Sequence, residues 1–262
     1  MIRSYRAELV KLGRRRVLVA TTLVTLLFAV GGAAVVLSAA RPAAEAGPGR
    51  GPTIEALSTA GGGTQAFRFA AAFTGTFLFV VFVGLTAAEF SRGTIRTSLL
   101  RQPRRVSLLA GKLAATLTFA AVALAGAELL AWVAARAFAP GNGVAVDTWA
   151  TMAGLTAAIA DLGAVLVWVT AYAVLGTTLG VLLRSVPVAL AVGIAWAGPF
   201  EHLVQDAWEP ASRLFPGLLL EAFVAGGTPQ VSAGRALVTV VLYTMLAAIA
   251  ASIVFARRDV AT

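Results

Sequence analysis

Val17 to Ala40 is a run of 24 residues without a single charged side chain. A helix rises about 1.5 Å per residue, so a run of this length reaches across the roughly 30 Å of hydrocarbon in a bilayer. No water satisfies backbone amides and carbonyls inside that layer, so a spanning run has to be helical. Phe69 to Ala88 and Ala236 to Ala256 repeat the pattern without any charge. Leu113 to Ala135 carries only Glu128, and Met152 to Leu183 carries only Asp161. Val186 to Phe200 is shorter and includes Pro187 and Pro199. The expected architecture is therefore an all-α polytopic membrane protein. It has one transmembrane domain over residues 1–262, with six spans at 17–40, 69–88, 113–135, 152–183, 186–200 and 236–256.

The low charge content agrees. Only 13% of residues are charged, against roughly 25% in soluble domains. The first run far exceeds the roughly 7–15 apolar residues of a cleaved leader, so it reads as a retained span. There is no cysteine and one histidine, His202. That excludes disulfides, thiolate sites and histidine-rich metal clusters, and no catalytic, cofactor or metal residue is assigned. The net charge of +9 raises the question of nucleic acid. Its distribution answers it: 15 of the 21 basic residues fall in the segments that share a side with the N-terminus. The positive-inside rule makes that side cytoplasmic, with both termini in the cytoplasm of a cell-membrane protein and no nucleic-acid partner expected.

Residues 1–16 form an expected in-plane helix. Ile2, Tyr5, Leu9 and Leu12 share one helical face, while the basic residues lie mostly off it and near anionic headgroups. The first outer loop, Arg41 to Gln65, opens with RPAAEAGPGRGP, which is too rich in Pro and Gly for regular structure. A longer outer segment, 201–234, holds the apolar patch LFPGLLLEAFVAGG, too short to span and read as re-entrant or interfacial. His202 beside Glu201 reads as a solvated pair. The five tryptophans are expected mostly at span ends, as an aromatic belt. Gly176 and Gly180 form a GxxxG that suits close helix packing within one subunit.

The densest basic stretch is TAAEFSRGTIRTSLLRQPRRVSLLAGK, residues 86–112. Glu89, Arg92 and Arg96 are spaced to share a helical face. Gly93 permits a sharp turn, Thr94 can cap a new helix, and Ile95, Leu99 and Leu100 form a short apolar stripe before Pro103 stops it. The expected form is a bent connector across the cytoplasmic mouth. This order of residues, from Glu89 through Arg92-Gly93-Thr94-Ile95-Arg96, Leu99-Leu100 and Gln102-Pro103 to Gly111-Lys112, resembles the permease subunits of ABC-2 type transporters. The resemblance implies that 89–111 is a cytoplasmic coupling segment, with Glu89, Arg92, Gly93, Thr94, Ile95, Arg96, Leu99 and Leu100 docking on a separate ATPase. It also implies a six-helix half-transporter that pairs with a second copy of itself or with a related permease. The connection between spans four and five, Arg184-Ser185, is shorter than that pattern suggests, so any second cytoplasmic contact has to be small. No GxxxxGK[ST] phosphate loop is present, so ATP and Mg are expected on the partner chain.

Glu128 and Asp161 are the acids inside the spans. A mid-bilayer charge costs at least about 2.5–3.5 kcal/mol and usually faces a cavity or a partner. One reading places both along a substrate path. The other pairs Glu128 with Arg136 and leaves Asp161 at the interface. Two rivals to the exporter stand on sequence alone. A secondary transporter or channel favours internal repeats and several intramembrane ions, which this sequence lacks. A non-transporting membrane anchor for an ATPase differs only in moving no substrate.

Overall fold

A computed structural model describes residues 1–45, 51–196 and 200–257. Among them there is no strand, only two isolated β-bridges, Arg41 with Thr53 and Gly227 with Ser232. Eleven α-helices are described: α1 Ile2–Leu12, α2 Arg15–Ser38, α3 Ile54–Leu57, α4 Gly62–Ser91, α5 Thr94–Arg101, α6 Arg105–Phe138, α7 Met152–Leu183, α8 Val186–Ala195, α9 Glu201–Ala207, α10 Pro216–Val224 and α11 Ala233–Arg257.

Four helices, α2, α6, α7 and α11, are long and apolar enough to cross a membrane. A fifth candidate arises if Phe77–Ser91 and Thr94–Arg101, bent by 80°, count as one span. α8 is apolar but has only 10 residues, and Pro199 of the expected fifth span lies outside the described residues. Large apolar side chains are exposed along these helices, for example Leu27 at 68% and Val122 at 71%. Such a surface is compatible with lipid.

The chain divides into two compact units. The first comprises residues 1–12, 74–119 and 167–262; the second comprises 13–73 and 120–166. In the second unit, Ala33, Val36 and Leu37 of α2 join Leu57 of α3, Ala66 of α4, Ala134 and Ala135 of α6, and Trp149 in one buried cluster. α3 starts where Thr53 accepts the Ala56 amide at 3.2 Å, a side-chain N-cap. The Trp149 indole donates to the Leu57 carbonyl at 2.9 Å. The loop after α2 is thus partly ordered, although residues 46–50 lie outside the described residues.

In the first unit the GxxxG meets α4. A Cβ at Gly176 would fall 3.0 Å from the Phe79 carbonyl, and one at Gly180 would fall 2.7 Å from Thr86 Cβ. The motif therefore packs two helices of one chain. The apolar patch at 214–227 folds largely as α10, which buries Leu218, Leu219 and Leu220 and packs on α11. The aromatic belt needs correction in part. Trp149 and Trp168 are each 2% exposed, because indoles on these faces pack between helices instead of lying at a surface.

Candidate functional site

The break after α4 sits at Gly93, whose φ of 68° is left-handed. Glycine takes that conformation without a Cβ penalty. Gly93 is also the residue before the first turn of α5, so Thr94 is not the cap. Its hydroxyl instead donates back to the Glu89 carbonyl at 3.3 Å and stitches the two helices across the bend. Because the helix breaks here, Glu89, Arg92 and Arg96 do not continue along one helical face.

α5 turns Ile95 inward and leaves Leu100 outside. Ile95 is 3% exposed and packs with Leu108 of α6, Val181 of α7 and Phe255 of α11; Leu99 joins them. The expectation that Ile95 docks on a partner is corrected here, since its side chain is buried in its own chain; Leu99 is half-buried beside it. Leu100 is 85% exposed, and Arg92, Arg96, Thr97, Arg101 and Arg104 are exposed around it. α6 begins at Arg105, eight residues before the expected span, so the connector is shorter than 89–111. Arg105 donates to the Phe255 carbonyl at 3.2 Å, meeting one of the last carbonyls of α11.

Behind the bend lies a network of four charges. Lys112 Nζ bonds to Glu89 Oε1 and, at 2.9 Å, to Glu8 Oε2. Glu8 also binds Lys11 at 2.9 Å, and Lys11 stands 4.0 Å from Glu89. Two acids and two bases thus balance. Burial opposes the charge on Glu8, but Lys11 and Lys112 outweigh it and hold that carboxyl below its usual range. The network joins α1, the end of α4 and the start of α6. Close helix approach makes it reachable: a Cβ at Gly111 would fall 2.7 Å from the Met1 carbonyl and 2.9 Å from Ser4 Cβ. A cavity of about 300 Å³ opens beside these residues, reaching Thr116 and Thr177. The turn between α7 and α8 is tied to the same end of α4. Ser91 donates to the Arg184 carbonyl at 3.1 Å, and Arg184 lies 5.2 Å over the Phe90 ring.

The second unit holds Glu128 and Asp161, acids of the long apolar helices α6 and α7. Asp161 accepts a hydrogen bond from Thr64 at 2.6 Å and pairs with Arg68 at 3.5 Å. It is a tie between α7 and α4. Glu128 is 8% exposed, and its Oε1 has no hydrogen-bond partner among the described residues. The expected pairing with Arg136 is not made; Arg136 lies 5.5 Å over the Trp132 ring and is exposed. Nor is Glu201 solvated beside His202. It is 3% exposed and accepts the Leu218 amide at 3.0 Å, while His202 stands 3.3 Å from Glu221.

Glu8, Lys11, Thr64, Arg68 and Glu201 were not singled out as site residues from the sequence. The i,i+3 spacing of Glu8 and Lys11 was the readable signal for the network. Thr64 and Asp161 lie 97 residues apart, and no local spacing links them.

A family model described as a protein of unknown function, DUF2705, matches residues 52–261. The chain belongs to the DUF2705 family. No curated protein and no solved structure matches it. The DUF2705 match takes in Glu89, Lys112 and the whole of α5, whereas Glu8 and Lys11 precede it.

Proposed function

We propose that this chain is the membrane-spanning permease subunit of an ATP-driven exporter of ABC-2 type. α2, α4, α6, α7, the region of α8 and α11 serve as six spans, with both termini in the cytoplasm. α1 lies in the inner membrane interface. A second copy or a related permease completes the transporter, and a separate P-loop ATPase hydrolyses ATP. The observation that carries this reading is the locked bend at Gly93. α5 is fastened by Ile95 to α6, α7 and α11, while Glu89 and Lys112 fasten α4 to α6 and, through Glu8, to α1. A push on α5 is therefore delivered to several helices together, as alternating access requires. Leu100 and the arginines around it form the face offered to the ATPase. Apolar anchors carry affinity at such contacts, and rim charges mainly set encounter and salt dependence.

The test is co-purification with a P-loop ATPase encoded beside this chain, followed by ATP turnover in liposomes. Leu100→Asp is expected to release the ATPase from a folded permease. Full association and coupled turnover in that variant would sink the proposal.

A further inference from the structure

A second cavity, of about 220 Å³, lies among α4, α7, α8, α9 and α10 of the first unit. Its walls are nearly all apolar, formed by Phe79, Tyr172, Leu179, Val192 and Trp196, with Glu201 as its acid. The aromatic rings are organised. Phe79 and Tyr172 stand 5.4 Å apart, and Trp196 stacks on Phe200 at 5.4 Å.

Glu201 sits in this wall with its charge uncompensated. Its carboxylate is held by neutral donors, the Leu218 amide and the Trp196 indole. The amide is the third of α10, whose preceding residue Phe215 has no side chain able to cap it. Among the described residues no cation lies within ion-pair distance of Glu201; His202 instead meets Glu221. Burial, with a smaller push from the Glu221 charge, raises the Glu201 carboxyl to about 7. A buried carboxylate without a cation is costly, and either a proton or a cationic ligand relieves that cost.

We infer that this cavity binds a compact organic cation, its apolar body against Phe79, Leu179 and Val192 and its charge between the Glu201 carboxylate and the rings of Tyr172 and Trp196. The ring faces attract cations, which neutral or anionic ligands do not share. The volume falls below the roughly 300–1,000 Å³ of drug-sized sites, so the ligand is small. As a ligand site the cavity does not depend on the transporter reading, and binding is measured on the purified full-length chain without any ATPase. A failed ATPase association would leave the binding result standing, and the reverse holds too.

The probe is benzyltrimethylammonium, with neopentylbenzene as its uncharged analogue of the same shape. Equilibrium binding in detergent micelles is expected to favour the cation by about tenfold or more, the scale of one charge-assisted contact. Glu201→Gln keeps an oxygen for the Leu218 amide while removing the charge. It should weaken the cation about tenfold and leave the neutral analogue unchanged. Trp196→Leu should weaken the cation more than the analogue. Equal binding of the two probes to the native chain would overturn the proposal and make the cavity an acyl-chain pocket. Unchanged cation affinity in a folded Glu201→Gln, or no binding of either probe, would overturn it as well.

Discussion

Replacing Ile95 by alanine and, separately, Leu100 by alanine separates support from docking within a single short helix. The Ile95 side chain is 3% exposed against Leu108, Val181 and Phe255. Truncation removes three carbons, at about 0.8 kcal/mol each for transfer alone. The cavity left among four helices adds to that, because their backbones collapse only partly. The total lies in the range of about 2–5 kcal/mol measured for buried isoleucine. Leu100 is 85% exposed, so its truncation should change stability by no more than about 0.5 kcal/mol. The assay is thermal unfolding of each purified variant in detergent, followed by ATPase capture on those that remain folded. Ile95→Ala should unfold at a clearly lower temperature and, while folded, still capture the ATPase. Leu100→Ala should unfold like the native chain and capture less. Native stability with loss of the ATPase in Ile95→Ala would show instead that Ile95 faces outward.

Lys112→Met should leave Glu8 and Glu89 with Lys11 alone as a shared cation and cost about 1–3 kcal/mol, below the range for fully buried pairs because both acids keep some solvent contact. Faster trypsin cleavage at Arg14 to Arg16 would report the release of α1. Arg68→Gln and Asp161→Asn should lower thermal stability by similar amounts, and their double variant should lose less than the sum, as a double-mutant cycle in detergent would show. Glu201 gives a pH signature. Its folded carboxyl near 7 lies above the ordinary 4.5, so the folded state holds the proton more tightly and stability rises as pH falls from about 7 toward 4.5. The full gap is worth about 3 kcal/mol. Glu201→Gln should remove that rise from denaturant-unfolding curves recorded between pH 5 and 8.

The long helices and the short helix α1 were legible because each is a local pattern. Ile2, Tyr5, Leu9 and Leu12 reveal their face through spacing alone, and Gly93 reveals a break through its chemistry. The direction in which α5 turns was not legible. Ile95, Leu99 and Leu100 make an apolar stripe whether it meets this chain or another, and only Leu108, Val181 and Phe255 decide between them. Pairings failed for a related reason. Glu128 and Arg136 lie two turns apart on one helix, which made their contact the nearest guess, but Arg136 found the Trp132 ring. Asp161 found Arg68, 93 residues earlier, and nothing in either local sequence points to the other. Glu201 was hidden by its neighbour: adjacent residues on a helix point to different sides, and His202 took the exposed one.

The bond between Glu8 and Lys112 spans 104 residues of sequence. During synthesis at about 5–20 residues per second, α1 emerges roughly 5–20 s before its partner on α6 exists. For that interval Glu8 has only Lys11, one turn away, to balance it. An amphipathic helix tolerates such a wait because a membrane surface accepts its apolar face and its basic groups together. α1 is thus suited to rest on lipid first and to be clamped later, when Lys112 arrives. Its clamping by Lys112 can come only after that part of α6 has been made.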